Sequence, residues 1–136
     1  MLTALCGSCS FSEQEHGDVM HEYRHFFTEV NRGCLIIHLT TTSMAMPDIC
    51  NEVLDDLGRV LSATHLPTII DCEKLEQFSA HFMRILVQAH TTVTEREMPC
   101  ALCNLDPRFD EVLDAGLVKQ KCTIADSLEA AFLLCA

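Results

Sequence analysis

The sequence predicts one α/β domain built on a mixed, mostly parallel sheet with four helices. Three observations predict it. Short apolar runs at Cys34–Leu39, Thr68–Cys72 and Cys100–Leu105 alternate with segments whose apolar residues recur at helical spacing. Strands that alternate with helices favour parallel pairing through right-handed crossovers. One tight-turn signal, Asn31-Arg32-Gly33, lies between the first two strand-like segments and adds a single antiparallel strand.

Residues 1–20 contain Ser, Glu and Gly without a helical or strand period. They read as a mobile acidic tail ahead of a domain spanning residues 21–136. His21–Val30 is the first expected strand, with Arg24, Phe26, Thr28 and Val30 on one face and Tyr23, Phe27 and Glu29 on the other. Gly33 supplies the positive φ of the turn into Gly33–Thr40. The near-continuous run Cys34-Leu-Ile-Ile-His-Leu39 fits a strand buried on both faces. Pro47 suits the first turn of a helix. Ile49, Val53, Leu54, Leu57, Val60 and Leu61 then form its apolar stripe, which ends near Ala63 before Pro67.

Thr68–Cys72 is a short strand, and Ser79 is a cap for the next helix. That helix carries the stripe Phe82, Met83, Ile85, Leu86, Ala89 and Val93. Pro99 leads into the strand Cys100–Leu105. Asp106-Pro107 combines a cap with a first-turn proline, and Gly116 closes the short helix they start. Val118–Cys122 is expected as a short strand. Thr123-Ile-Ala-Asp126 resembles a capping box that opens a last helix through Leu134.

Composition excludes several functions. Of 136 residues, 49% are hydrophobic, enough for one core, so wholesale disorder is not expected. The formal charge of −11 repels a phosphate backbone, so nucleic acid is not an expected partner. With no Trp and Tyr23 as the single Tyr, the chain also lacks an aromatic platform for single strands. No apolar run approaches the ~20 residues of a membrane span. Met1–Cys6 carries no basic residue and does not read as a secretory signal. A cytoplasmic chain with reduced thiols is therefore expected, and the odd count of nine cysteines leaves at least one unpaired within the chain.

Two Cys-x-x-Cys pairs, Cys6/Cys9 and Cys100/Cys103, invite a zinc reading. The second pair falls in an expected strand, where residues three apart point to opposite faces and cannot share an ion. Glu13 and Glu15 flank the first pair and disfavour its thiolates. No metal or cofactor is expected. None of the seven histidines has a nucleophile and orienting acid in a recognisable pattern, so no catalytic group is assigned. Asp48, Glu52, Asp55 and Asp56, followed by Arg59, form an acidic helix face. It reads as solvated surface, or as a docking face for a basic partner.

Three stretches together resemble the STAS domain, the fold of bacterial anti-sigma-factor antagonists. Ile69–His90 resembles that family's central strand, loop and helix without a gap. Cys100–Leu117 resembles its next strand and short helix, with Leu113-Asp-Ala-Gly-Leu117 one residue shorter than the family's Leu-x-x-x-Gly-Leu. Thr123–Phe132 resembles its last helix, where the family's Leu-x-x-Ala reads Leu128-Glu-Ala-Ala131. The family's central loop reads Asp-Ser-Ser/Thr-Gly, and a kinase phosphorylates a hydroxyl there. The matching residues are Ser79, Ala80, His81 and Phe82. His81 is thus the phosphosite equivalent, and it lacks the hydroxyl on which a switch of about −1.5 to −2 charges depends.

The resemblance implies a non-catalytic protein–protein interaction module in bacterial signalling, with an anti-sigma-factor, a related kinase or a complex subunit as partner. The implied contact surface comprises Ser79, Ala80, His81 and Phe82, the loop Glu73–Phe78, and the helix face bearing Asp48 and Glu52. The alternative implied by the same fold is a small-ligand site or an accessory subunit of a transport assembly. That alternative calls for a pocket near Ser79 and His81.

Overall fold

The computed structural model describes residues 20–115 and 118–135. The expected tail over residues 1–20 lies outside them apart from Met20, as do Cys6, Cys9 and the expected helix end at Gly116. In chain order the elements are β1 (Met20–Glu22), β2 (Phe26–Asn31), β3 (Cys34–Leu39), β4 (Ser43–Met44), α1 (Pro47–Ala63) and β5 (Thr68–Asp71). There follow β6 (Gln77–Phe78), α2 (Ala80–Thr94), β7 (Cys100–Cys103), a 3-10 turn (Pro107–Phe109) and α3 (Asp110–Ala115). The chain ends with α4 (Val118–Lys121), β8 (Ile124–Ala125) and α5 (Leu128–Cys135).

Six strands form one sheet in the order β1-β2-β3-β5-β7-β8. β3, β5, β7 and β8 are parallel, and β2 runs antiparallel between β1 and β3. Strand residues alternate between two cores. Leu35, Ile37, Ile70 and Leu102 face α1 and α2, joined there by Phe26, Leu57, Phe82 and Leu86. Cys34, Ile36, Ile69, Ala101 and Cys103 face α5, with Ala131, Phe132 and Cys135. This alternation is the two-residue period of strands buried on both faces.

Pro47 occupies the first turn of α1, and Cys50, Val53, Leu57, Val60 and Leu61 are its buried stripe. The Arg96 guanidinium donates to the carbonyls of Leu61 and Thr64 and so caps its end. The hairpin turn places both Arg32 (φ 54°) and Gly33 (φ 76°) in the left-handed region, the geometry of a two-residue primed turn. Arg32 also reaches α5. It pairs with Glu129 at 3.1 Å and lies 4.5 Å over the Phe132 ring.

Several expectations are corrected. His21–Val30 is not one strand: the chain bends at Tyr23–His25, and Met20 pairs with Glu29. The bend is anchored on α1, because Arg24 donates to Asp56 at 3.2 Å and His25 Nε2 lies 2.7 Å from Glu52. The antiparallel strand β2 consequently lies inside the sheet, with β1 at the edge. Val118–Cys122 is not a strand but the helical turn α4, with Cys122 N–H donating to Val118 O at 2.8 Å. The strand lies instead at Ile124–Ala125. The last helix is therefore capped by Ser127, whose Oγ accepts from Ala130 N–H at 3.1 Å, and not by Thr123. α4 raises the α-helices among the described residues to five.

Candidate functional site

The two loops that lead into α1 and α2 are zipped together. β4 pairs in parallel with β6, with Ser43 opposite Gln77 and Met44 opposite Phe78. Glu76 N–H donates to Thr42 O at 2.7 Å, and Ser79 N–H to Met44 O at 3.3 Å. Cys50 Sγ donates to the same Met44 carbonyl at 3.4 Å and lies 3.8 Å from Ser79 Oγ. The starts of α1 and α2 thus stand side by side at the C-terminal ends of the parallel strands.

At this edge Ser79 is the cap of α2, its Oγ accepting from Phe82 N–H at 3.2 Å. Ala80 is exposed and His81 half-buried in the first turn. Phe82 is 0% exposed, so it offers a partner no side-chain surface. It anchors the turn to the core against Phe78, ring to ring at 6.4 Å. Phe78 in turn meets Phe109 edge-on at 4.7 Å, which draws the 3-10 turn to the same edge.

Asp48 is exposed in the first turn of α1, and Met46 ahead of it is 60% exposed. Glu52 is half-buried and committed to Arg24 and His25. Asp56, read from sequence as part of a solvated face, is only 3% exposed and is neutralised by Arg24 and Arg59. The acidic face thus reduces to Asp48 and Asp55 as its exposed carboxylates. Met46 and Phe109 were not singled out from sequence, and Phe78 only as the end of the loop Glu73–Phe78, because what fixes Phe78 here is the β4–β6 pairing.

Beside this edge, on the α5 side of the sheet, a polar chain crosses neighbouring strands. His38 of β3 places Nδ1 2.8 Å from Asp71 of β5 and Nε2 3.2 Å from Glu29 of β2. Asp71 also accepts from Asn104 Nδ2 at 3.0 Å and from Glu73 N–H at 3.1 Å. Phe27 stacks on the His38 ring at 4.6 Å. The bond to Asp71 raises the His38 pKa; burial opposes it, and Glu29 adds to the rise. Burial alone would push the Asp71 carboxyl up, but the bonds from His38, Asn104 and Glu73 outweigh it and hold it below the ordinary range.

The cysteines in the described residues are buried and unpaired. Cys100 faces the α1–α2 core and Cys103 the α5 core, opposite sides of one strand. Burial pushes both thiols up to about 12 and those of Cys122 and Cys135 to about 11, so none is a thiolate near neutral pH. Among the described residues no group of three or more His, Cys, Asp and Glu side chains is arranged to hold a metal ion. No helix among them is long and apolar enough to cross a membrane. A shallow cavity of about 120 Å³ lies between α1 and α2, lined by Leu54, Gly58, Ile85, Gln88 and Arg96 among others. It includes neither Ser79 nor His81.

This sheet, with paired helices on one face and a C-terminal helix on the other, defines a small α/β domain. The STAS domain family matches residues 26–131, and the chain belongs to that family. Solved structures share the fold. A putative anti-sigma factor antagonist from Thermotoga maritima has a TM-score of 0.70 at 12% identity, over 81% of this chain and 93% of that one. An anti-sigma-factor antagonist (STAS) domain protein from Planctomyces limnophilus has a TM-score of 0.70 at 18% identity, over 82% and 97%. The Bacillus cell fate determinant SpoIIAA in its phosphorylated form has a TM-score of 0.58 at 15% identity, over 79% and 97%. No curated protein sequence matches the chain.

Proposed function

We propose that this chain is a non-catalytic STAS module in bacterial regulation that docks another protein through the edge where α1 and α2 begin. Ser79, Ala80, His81 and Asp48 form the contact surface, with Glu52 behind it. The observation that carries the reading is the β4–β6 ladder, which fixes two helix starts and their loops as one rigid surface. The partner presents a basic face, since exposed Asp48, Glu73 and Glu76 lie along this edge and the chain carries −11 overall.

Phosphate on this edge is absent from the working cycle at position 81, where His81 stands in place of a hydroxyl. Ser79 is engaged as a helix cap. Partner availability, not modification of residue 81, then sets the complex.

The test is affinity purification of the tagged full chain from its own cells, with mass spectrometry, beside His81→Glu and Lys121→Glu. Lys121 is an exposed residue on α4. The expected result is a partner held by the wild type and by Lys121→Glu, and lost about tenfold or more with His81→Glu. Equal recovery with all three chains would remove the docking edge from the account. Phosphate at Ser79 in the peptide covering residues 75–84 would overturn the unmodified cycle.

A further inference from the structure

We propose that the Glu29–His38–Asp71–Asn104 chain is a proton-operated staple: doubly protonated His38 ties β2, β3 and β5 together beside the docking edge, and loss of one proton opens the tie at Glu29. The argument begins with hydrogen-bond inventory. An ionised carboxylate only accepts, so a ring flanked by Asp71 at 2.8 Å and Glu29 at 3.2 Å satisfies both only when both nitrogens carry a proton. A neutral ring keeps one N–H and turns a lone pair on the other carboxylate.

The geometry decides which tie is lost. Asp71 makes the shorter bond, and its side chain is 8% exposed; that of Glu29 is 26% exposed and reaches water. The remaining proton therefore stays at Nδ1, and Glu29 is released.

The groups facing the ring are few. β1 contributes exposed Glu22, in register with Phe27 on this face, β2 contributes Glu29 and the Phe27 ring, and β5 contributes Asp71. β7 contributes the Cys103 thiol, which stays protonated, and the residue following it contributes the Asn104 amide. α5 presents apolar Leu128, Ala131 and Phe132 on this side of the sheet, while its Glu129 is engaged by Arg32. Among the described residues no Lys or Arg forms an ion pair with either carboxylate.

The staple reaches the docking edge through Asp71. Its Oδ1 holds Glu73 N–H, at the head of the loop into α2, and Asn104, at the head of the loop into the 3-10 turn. Asn104 sits at φ 60°, a conformation that asparagine tolerates better than most residues and that its side-chain bond pins. When the ring loses its charge, Asp71 keeps these two partners and the Nδ1–H bond, but that bond weakens because its donor is no longer cationic. The inference rests on the proposed docking role only in giving these loops a purpose. The staple itself is tested without any partner.

The experiment is an NMR titration of the labelled full chain from about pH 5.5 to about pH 9. The expected result is a His38 ring that titrates above the ordinary histidine value of about 6.5, with the Glu29 carboxyl carbon, the Glu73 amide and the Asn104 side-chain amide moving on the same midpoint. In His38→Gln those three signals lose that transition while the sheet amides keep their positions. A His38 midpoint at or below the ordinary value, or Glu29 and Glu73 signals that ignore His38, would overturn the proposal. The wild-type titration decides the matter even where His38→Gln fails to fold. Its failure would leave the docking reading standing, because that reading is judged by partner recovery.

Discussion

The two faces of the sheet are filled by opposite means. Against α1 and α2 the strands present large side chains such as Phe26, Ile37, Ile70 and Leu102, which meet Phe82 and Leu86. Against α5 they present mostly small ones, Cys34, Ala101 and Cys103, which meet Ala131 and Cys135. A single strand shows both: β7 alternates Cys100 and Leu102 on one side with Ala101 and Cys103 on the other. The first face gains stability from area removed from water. The second gains it from close approach of a short helix, with little volume to spare. The faces should therefore fail in opposite directions when side-chain volume changes.

Leu86→Ala empties space on the large-residue face and is expected to cost about 2–5 kcal/mol. The urea midpoint should fall at unchanged slope. On the opposite face the damaging change is enlargement. Ala101→Leu should cost about 1–3 kcal/mol by pushing α5 away, seen as faster amide exchange over residues 128–135. A harmless Ala101→Leu would break the comparison, because it would mean that α5 does not sit close on β7.

Ser79→Ala removes the cap of α2 and should cost about 1 kcal/mol, with Ser79→Asp restoring most of it. The pH dependence sharpens the contrast further. The raised His38 value contributes stability that is complete below about 6.5 and is lost as pH rises through the raised value. His90, whose Nε2 accepts from Thr123 N–H at 3.1 Å, is held neutral chiefly by burial, which lowers its pKa. Its effect has the other sign: stability falls as pH drops below about 6.5, where the unfolded chain takes up the proton first. Urea midpoints should thus peak between the two limbs, and His38→Gln should flatten the alkaline limb alone. The smallest effect is expected at Leu133, 82% exposed on α5. Leu133→Gln should change stability by no more than about 0.5 kcal/mol.

The faces were legible in the sequence because strand alternation and helix stripes are local patterns. Phe26 and Thr28 fall on the buried side where a two-residue period puts them. Val118–Cys122 was not legible, because five residues cannot separate the two periods. Val118 and Cys122 are both buried, and their spacing of four fits one helical turn as well as one strand face. Ile124–Ala125 is too short to show any period, so the strand was displaced onto its neighbour.

At the docking edge, Ser79 was legible as a cap because its signal lies within one turn. The burial of Asp56 was not, since Arg24 stands 32 positions away in sequence. The same holds for His38 and Asp71, separated by 33 positions and joined only by strand register. Long-range polar pairs leave no mark on a local pattern.

The parallel β4–β6 ladder also bears on how this surface could be moved or copied. Each of its two strands is only two residues long, and neither has another partner in the sheet order. Transplanting residues 73–82 alone onto another scaffold would carry a helix start without the companion that sets its pitch. The smallest portable unit is both loops together with the first turns of α1 and α2, so changes in one loop are accepted only as far as the other accommodates them.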